Sequence, residues 1–368
     1  MGKTIVSIIS EQTIPNYLFI KELFIPGDTL MFISSKKMKE KIEWIKDALN
    51  WTLCSTLEIV FQNDGDEENY DAIFSQVSHY LNDREQYYVN LTGGTKFLAL
   101  VLQNLFERFN SKFYYIPYPK NQIISVTESE EKRISHRVTV REYLNVYGEH
   151  IKDPKKITIE KSYTKDFLSL FLDKLHSNQY IIIDKLRAYR KSKWINVSDV
   201  ENKEEEPNKP RIDGLSVFLK DIHYPIMSNI LQKSDIQYLT GGWFEEYVYH
   251  YIKESVRPND IQLGVNIKKT NNDLDVVFTL GNKLYVVECK TGVERELMLK
   301  EIVYKASALK SELLGLSAKS YIFALSEGGE RWETAASNMG IQFCGRSFFL
   351  DENKLEVLLK NIVKSSDN

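Results

Sequence analysis

Cysteine is scarce in this sequence: Cys54, Cys289 and Cys344 stand far apart and form no Cys-x-x-Cys pair. That spacing argues against a disulfide framework and against a cysteine zinc site, and it suits a reducing cytoplasm. The six histidines are scattered too, without the spacing of a metal motif. No apolar run approaches the length of a bilayer-spanning helix. The earliest one, residues 4–9, shows no basic flank followed by the small-residue cleavage site of a secretory signal, and it reads as a first strand. Charge of one sign is missing as well: 48 Lys and Arg against 51 Asp and Glu leave a net −3. Any attraction to phosphates must therefore come from local clusters. Neither a Gly-x-x-x-x-Gly-Lys-Ser/Thr loop nor a Gly-x-Gly-x-x-Gly loop occurs, which disfavours plain ATP or NAD as a ligand. Internal repeats are absent.

What is present is the balance of a soluble globular protein, 43% hydrophobic and 27% charged residues. A length of 368 residues exceeds one ordinary core and points to two domains plus connecting structure. Through about residue 125, apolar β-type runs alternate with helical patterns. Strands are expected at 4–9, 30–33, 57–61, 87–91 and 113–116, and helices at 17–23, 39–49, 70–81 and 96–109. Strands apolar on both faces belong in a parallel sheet covered by helices, so the fold expected here is a doubly wound, Rossmann-like α/β domain. A hairpin follows, with strands at Ile123–Val126 and Val138–Val140 separated by the charged stretch Glu128–Arg133; it would close the sheet or form a dimer contact.

From Ile151 to Gln237 the pattern is helical and irregular, and the charged, Pro-bearing tract Val200–Arg211 reads as a solvated loop. From Tyr238 a second α/β domain is expected, with a helix starting near Gly242 and strands at Leu274–Leu280 and Lys283–Cys289. A helix near Glu296–Leu314, a strand at Ser320–Leu325, and a last helix and strand would complete it. The domains so drawn are 1–150, a connecting helical segment 151–237, and 238–368.

The stretch from Asn271 to Gly292 carries the most chemistry. Gly281-Asn282 is a tight-turn signal between two apolar runs, so Asp275 and Glu288 fall at facing ends of an antiparallel pair. Alternation puts Val286, Glu288 and Lys290 on one face, with Val287 and Cys289 on the other. Two carboxylates can then approach one Mg²⁺ or Mn²⁺, the hard cations that oxygen ligands suit, and a neighbouring ammonium can position water and steady developing negative charge. Upstream, Trp243-Phe-Glu245-Glu246 puts two acids early in a helix, either of which would serve the same site. An ordinary charged strand end would show the same Glu-x-Lys pair, but charges on a strand apolar on both faces are costly unless paired or set in a cleft. Cys289 suits a small core residue better than a nucleophile. Lys268, Lys269, Lys300, Lys305 and Lys310 could track a phosphate backbone, and Tyr304 could stack on a base.

Residues Tyr238 to Ile341 resemble the PD-(D/E)XK restriction-endonuclease-like superfamily, with Asp275, Glu288 and Lys290 matching its Asp, Glu and Lys. Leu274 replaces the Pro of the motif's name. The resemblance implies metal-dependent hydrolysis of DNA or RNA, with metal on Asp275, Glu288 and the backbone carbonyl of Cys289, and Glu245 or Glu246 as the helix acid.

Two N-terminal loops stand out: Ser10-Glu-Gln12-Thr13-Ile-Pro-Asn16 after the first strand and Asn90-Leu-Thr92-Gly93-Gly94-Thr95-Lys96 after the fourth. In a doubly wound sheet these strands adjoin where strand order reverses, and ligands bind at their carboxyl ends. Hydroxyls, glycine N–H groups, a helix N-terminus and Lys96 together suit a phosphate-linked ligand, although Ser/Thr caps on ordinary turns would look similar. The Thr-Gly-Gly-Thr-Lys motif resembles the CARF domain, the sensor of cyclic oligoadenylates in type III CRISPR defence. A CARF domain followed by a PD-(D/E)XK domain resembles the CRISPR ancillary nucleases. That resemblance implies a homodimer activated by cyclic tetra-adenylate to cut single-stranded DNA or RNA. The ring would contact Ser10, Gln12, Thr13, Asn16, Thr92, Gly93, Gly94, Thr95 and Lys96. A constitutive restriction or repair nuclease, and a ligand-responsive DNA-binding regulator without catalysis, remain the competing expectations.

Overall fold

In a computed structural model the chain is described over residues 2–50, 54–173, 178–226, 228–268, 272–292, 318–326 and 330–367. The N-terminal part runs β1 (Thr4–Ile8), α1 (Ile14–Leu23), β2 (Thr29–Ser35), α2 (Glu40–Leu49), β3 (Ser55–Phe61), α3 (Tyr70–Ser78), β4 (Tyr87–Asn90), α4 (Lys96–Phe106) and β5 (Ser111–Tyr115). Strand order is β3-β2-β1-β4-β5, all pairs parallel, extended by antiparallel β6 (Gln122–Ser125) and β7 (Glu130–Arg133). The reason is visible in β1: Ile5 packs into one core with Phe32, Tyr17 and Ile45, while Val6 and Ile8 pack into another with Ile33, Phe61 and Leu102. Side chains alternate between faces, so a strand apolar throughout needs helices on both.

The hairpin differs from the sequence expectation. Its second strand is the charged run Glu130–Arg133, fully exposed at the sheet edge, and Val138–Val140 is not a strand. An edge tolerates charge because one face and one set of backbone groups stay in water. Val138 and Val140 are instead fully buried in the core that contains Ile5. The segment turns into α5 (Val140–Asn145) because Thr139 and Glu142 form a capping box.

Glu142 also accepts from the Tyr17 hydroxyl at 2.7 Å and faces His136 at 3.4 Å. Burial alone would raise its pKa, but the bonds from His136, Thr139 and Tyr17 prevail and hold it well below the usual carboxylate range. A carboxyl depressed on folding adds stability that is present above its unfolded pKa, near 4, and is lost as pH falls. Glu142→Gln is therefore expected to cost about 1 kcal/mol at neutral pH and to flatten the fall in melting temperature below about pH 5. Parallel pH–melting curves for the two proteins would contradict this.

The middle of the chain is helical: α6 (Lys161–Asp173), α7 (Asn178–Arg187), α8 (Val197–Asn202), α9 (Leu215–Asp221) and α10 (Lys233–Gln237), with a two-stranded ribbon of β8 (Trp194–Asn196) and β9 (Ile230–Gln232). Of the tract expected to be a loop, Val200–Asn202 ends α8, with Val200 buried; residues 203–209 are mostly exposed. A distorted turn over Tyr238–Gly242 then leads into α11 (Trp243–Ser255). A second sheet has the order β10 (Asp260–Ile267), β11 (Asn272–Leu280), β12 (Lys283–Lys290), β13 (Lys319–Ala324) and β14 (Ile341–Cys344). Strand β10 had no expectation from the sequence. Helices α12 (Glu330–Asn338), α13 (Ser347–Leu350) and α14 (Glu352–Asp367) complete the described chain. The helix expected at Glu296–Leu314 lies outside the described residues, as do Lys269, Lys300, Tyr304, Lys305 and Lys310.

Each face of the second sheet has a different cover. Val276, Phe278, Tyr285 and Val287 join Phe167, Leu186, Phe218 and Trp243, so the helical segment shares one core with α11 and this sheet. Val277, Leu284 and Val286 join Tyr17, Ile134, Val138 and Tyr143 of the N-terminal domain. The connecting segment thus packs with the C-terminal domain, and the N-terminal domain is wedged against the opposite face.

Candidate functional site

Gly281 and Asn282 both adopt left-handed conformations, the backbone a two-residue hairpin turn requires. Register runs from Leu280↔Lys283 to Val276↔Val287, which leaves Asp275 and Glu288 facing each other one step beyond. The far strand bends where they stand. Leu263 and Val265 flank the position opposite Asp275 yet lie in different cores, because Gly264 between them has φ +59° and reverses the alternation. The room Gly264 leaves is filled by Lys155, whose Cγ, Cδ and Cε would stand 2.3–2.8 Å from any added Cβ.

Three oxygens surround the Lys290 ammonium. Nζ donates to Glu288 Oε1 at 2.6 Å and to the Cys289 carbonyl at 3.2 Å, and lies 3.5 Å from Asp275 Oδ2. Asp275 Oδ2 also accepts from the Cys289 backbone N–H at 2.7 Å, which locks its carboxylate against β12. Burial would strip Lys290 of its proton, but Asp275 and Glu288 more than compensate and push its pKa up. The two carboxylates and one carbonyl thus converge on a single point, the Lys290 ammonium. Among the described residues no three His, Cys, Asp or Glu side chains are arranged to hold a metal ion. Two carboxylates and a carbonyl fit a hard divalent ion that keeps several waters, as Mg²⁺ does. The Cys289 thiol is buried, and burial followed by the nearby Asp275 and Glu245 charges raises its pKa, as suits a core residue.

The two helix acids part company. Glu245 pairs with Lys155 at 3.2 Å, and burial together with Asp275 raises its pKa, which puts it at the site. Glu246 faces away: it accepts from the Thr158 N–H and hydroxyl at 2.8 Å and from the Ile159 N–H at 3.2 Å, fastening the connector to α11. Lys155 had no sequence signal, since it sits in an ordinary basic run.

In the N-terminal domain β1 and β4 do adjoin, so both loops open at one crevice. Their residues divide by burial. Thr13 donates to the Val146 carbonyl, and Asn16 donates to the Ile8 carbonyl at 2.8 Å and accepts from Asn90 at 2.8 Å. Both are buried and shape the loops from below rather than lining the surface. Ser10, Gln12 and Thr92 are partly accessible, and Gly94, Thr95 and Lys96 are exposed at the start of α4, where Thr95 caps by accepting from the Leu98 N–H. Gly93 is buried so tightly that a Cβ would stand 1.9 Å from the Ile8 carbonyl oxygen. Because that neighbour is backbone of the central strand, Gly93→Ala is expected to lower stability by about 2 kcal/mol or more and to displace the 92–96 loop. A circular-dichroism melt unchanged from the parent would refute this.

A family model of the Card1 CARF domain matches residues 4–143, and one of the Card1-like endonuclease domain matches residues 232–353. A search of curated proteins gives no match. Among solved structures, protein VC1899 from Vibrio cholerae superimposes with a TM-score of 0.76 at 18% identity, over 99% of this chain and 98% of the other. Can2 from Sulfobacillus thermosulfidooxidans, determined with cyclic tetra-adenylate, gives 0.70 at 20% identity over 100% of both chains. A type III CRISPR defence DNA nuclease activated by cyclic oligoadenylate gives 0.58 at 16% identity, over 93% of this chain and 50% of that one. At these identities the three structures speak to the fold. The family matches place one domain on each half of the geometry described above, and the chain therefore belongs to the nucleases that join a Card1-type CARF domain to a Card1-like endonuclease domain.

Proposed function

We propose that this protein is a divalent-metal-dependent endonuclease of type III CRISPR defence, switched on by cyclic tetra-adenylate and cutting single-stranded DNA or RNA. The observation that carries the reading is the convergence of Asp275, Glu288 and the Cys289 carbonyl on one cationic point. Those three groups would hold Mn²⁺ or Mg²⁺. With such an ion bound, the site gains a Lewis acid able to polarise a phosphodiester and to acidify water. Lys290, whose proton is held firmly, donates to a non-bridging phosphate oxygen and steadies the charge that develops there. Glu245 stands beside Asp275 as a third acid at the rim.

Activation is assigned to the crevice between β1 and β4, with Ser10, Gln12, Thr92, Gly94, Thr95 and Lys96 as the reachable contacts. The fold shared with the cyclic tetra-adenylate complex of Can2 supports that choice of ligand. A homodimer is supported by Phe97 and Leu100, exposed beside the loop on α4, with Tyr70 exposed on the adjoining α3. A cytoplasmic location agrees with free cysteines and with the absence, among the described residues, of any helix long and apolar enough to cross a membrane.

The test incubates the full-length protein with labelled single-stranded DNA and RNA and Mn²⁺, with and without cyclic tetra-adenylate, alongside Glu288→Ala and a chelator control. Cutting that requires metal, Glu288 and activator is expected. Cutting indifferent to the activator would point to a constitutive nuclease, and activator binding without any cutting to a regulator.

A further inference from the structure

The helical segment sends two arginines to the rim of the nuclease site. Arg190 donates from Nε to the Thr240 hydroxyl at 2.6 Å and from its terminal nitrogen to the Thr240 carbonyl at 2.7 Å. Arg187, the last residue of α7, donates to the Thr291 hydroxyl at 3.2 Å, and Thr291 in turn donates to the Thr240 carbonyl at 3.2 Å. Thr291 follows Lys290 directly, and Thr240 lies five residues before Glu245. Both guanidiniums are therefore fixed to the two backbone segments that supply the proposed catalytic groups.

Glycines make the room. A Cβ on Gly241 would stand 2.9 Å from the Arg190 guanidinium, and one on Gly292 would stand 2.4 Å from that of Arg187. Among the described residues the pair has little direct counter-charge. Among the described residues, Arg187 meets only Asp184, one turn earlier on its own half-exposed helix face at 3.0 Å, and Arg190 is bonded to a hydroxyl and a carbonyl rather than to a carboxylate. Partial burial of the guanidinium, then the nearness of Arg187, lowers the affinity of Arg190 for its proton, against the opposing pull of the Glu245 carboxylate. Two like charges held side by side, only partly offset by Asp184 and Glu245, repel each other, and an arriving anion relieves that repulsion.

We infer that Arg187 and Arg190 form a receptor for a backbone phosphate of the substrate strand, one that neighbours the phosphate under attack at Asp275, Glu288 and Lys290. This rests on the nuclease reading above. The planar guanidinium fork matches phosphate oxygens in pairs, which an ammonium does not. The receptor gives the segment before α11 a task in setting the strand's register, so that the phosphate presented for cleavage is fixed from its neighbour.

The test measures binding of labelled single-stranded DNA and RNA by fluorescence anisotropy across a salt series, using full-length protein carrying Glu288→Gln so that strands stay intact. Arg187→Ala and Arg190→Ala are each expected to weaken binding about tenfold and to reduce the slope of log K against log salt by about 0.7. Arg187→Lys with Arg190→Lys keeps the charge and loses the fork, so it should retain most of the slope and lose part of the affinity. In the cutting-competent protein the alanine variants should raise KM more than they lower kcat. Unchanged affinity and slope in an alanine double variant that melts like the parent would overturn the receptor. Equal loss of kcat and kcat/KM with unchanged strand binding would also overturn it, and would leave the arginines as props for Thr240 and Thr291. Failure of the parent to cut any strand, with the arginine effects on binding intact, would sink the nuclease reading alone.

Discussion

Glu288→Gln should reduce strand cutting by roughly 10³-fold or more, because it removes one of the two carboxylates that converge on the Lys290 ammonium while preserving side-chain shape. The change also strips the negative charge from the group that the Lys290 ammonium meets at 2.6 Å. Lys290→Ala should cost a comparable factor, about 10²–10³, through lost stabilisation of developing charge. Since Glu288, Asp275 and Lys290 act as one unit around a shared point, the double variant should be little worse than either single one. Rates measured at saturating Mn²⁺ and activator decide the matter. Single variants within about tenfold of the parent, or a double variant that multiplies the single losses, would mean that cutting arises elsewhere.

Asn282→Gly is expected to disconnect the activator from the nuclease. Asn282 is the turn residue of the β11–β12 hairpin, six residues or about 20 Å from Glu288 along the strand, and it is 1% exposed. Its amide donates to Asn121 Oδ1 at 2.7 Å and to the His136 carbonyl at 3.0 Å, while its side-chain oxygen accepts from the Val138 N–H at 2.9 Å. The Tyr118 hydroxyl bonds its backbone carbonyl at 3.1 Å, and Thr279 donates to the Val138 carbonyl at 2.7 Å. The hairpin that carries Asp275 and Glu288 is thus held at its other end by CARF-domain loops. Neighbouring Tyr114 and Tyr115 on β5, directly beside β4, lead from the crevice toward these loops.

Glycine accepts the left-handed backbone at position 282, so the turn survives while three hydrogen bonds disappear, two of them buried. A stability loss of about 2–4 kcal/mol follows from the orphaned partners. The ratio of cutting rates with and without cyclic tetra-adenylate should fall by about tenfold, within the usual range of coupling between two sites. Retention of the full ratio by a folded Asn282→Gly protein would show that the hairpin is not the lever.

Much of this architecture could be read in the residues one after another. Apolar runs of four to seven residues with β-branched side chains announced β1 to β5, and the Gly281-Asn282 turn announced a hairpin that sets Asp275 against Glu288. These signals are local: alternation and turn chemistry act over a few residues, so no distant contact is needed to decode them. The hairpin after β5 was misread for the complementary reason. Val138 and Val140 have strand-like side chains, but a neighbouring domain buries them, while the charged Glu130–Arg133 pairs because an exposed edge tolerates it.

The residue sequence by itself determined β1 to β5 with the helices between them and the hairpin that sets Asp275 against Glu288, since each follows from short-range pattern and residue type. Only the tertiary structure decided that Glu245 rather than Glu246 faces Asp275, and that Lys155, Arg187 and Arg190 gather at the same rim. It likewise decided that Asn282 ties the nuclease hairpin to the sensor, and that Thr13 and Asn16 turn inward. Those outcomes depend on which surfaces pack together across a hundred residues or more of chain, and burial and hydrogen bonding between distant segments leave no periodic trace in the order of the amino acids.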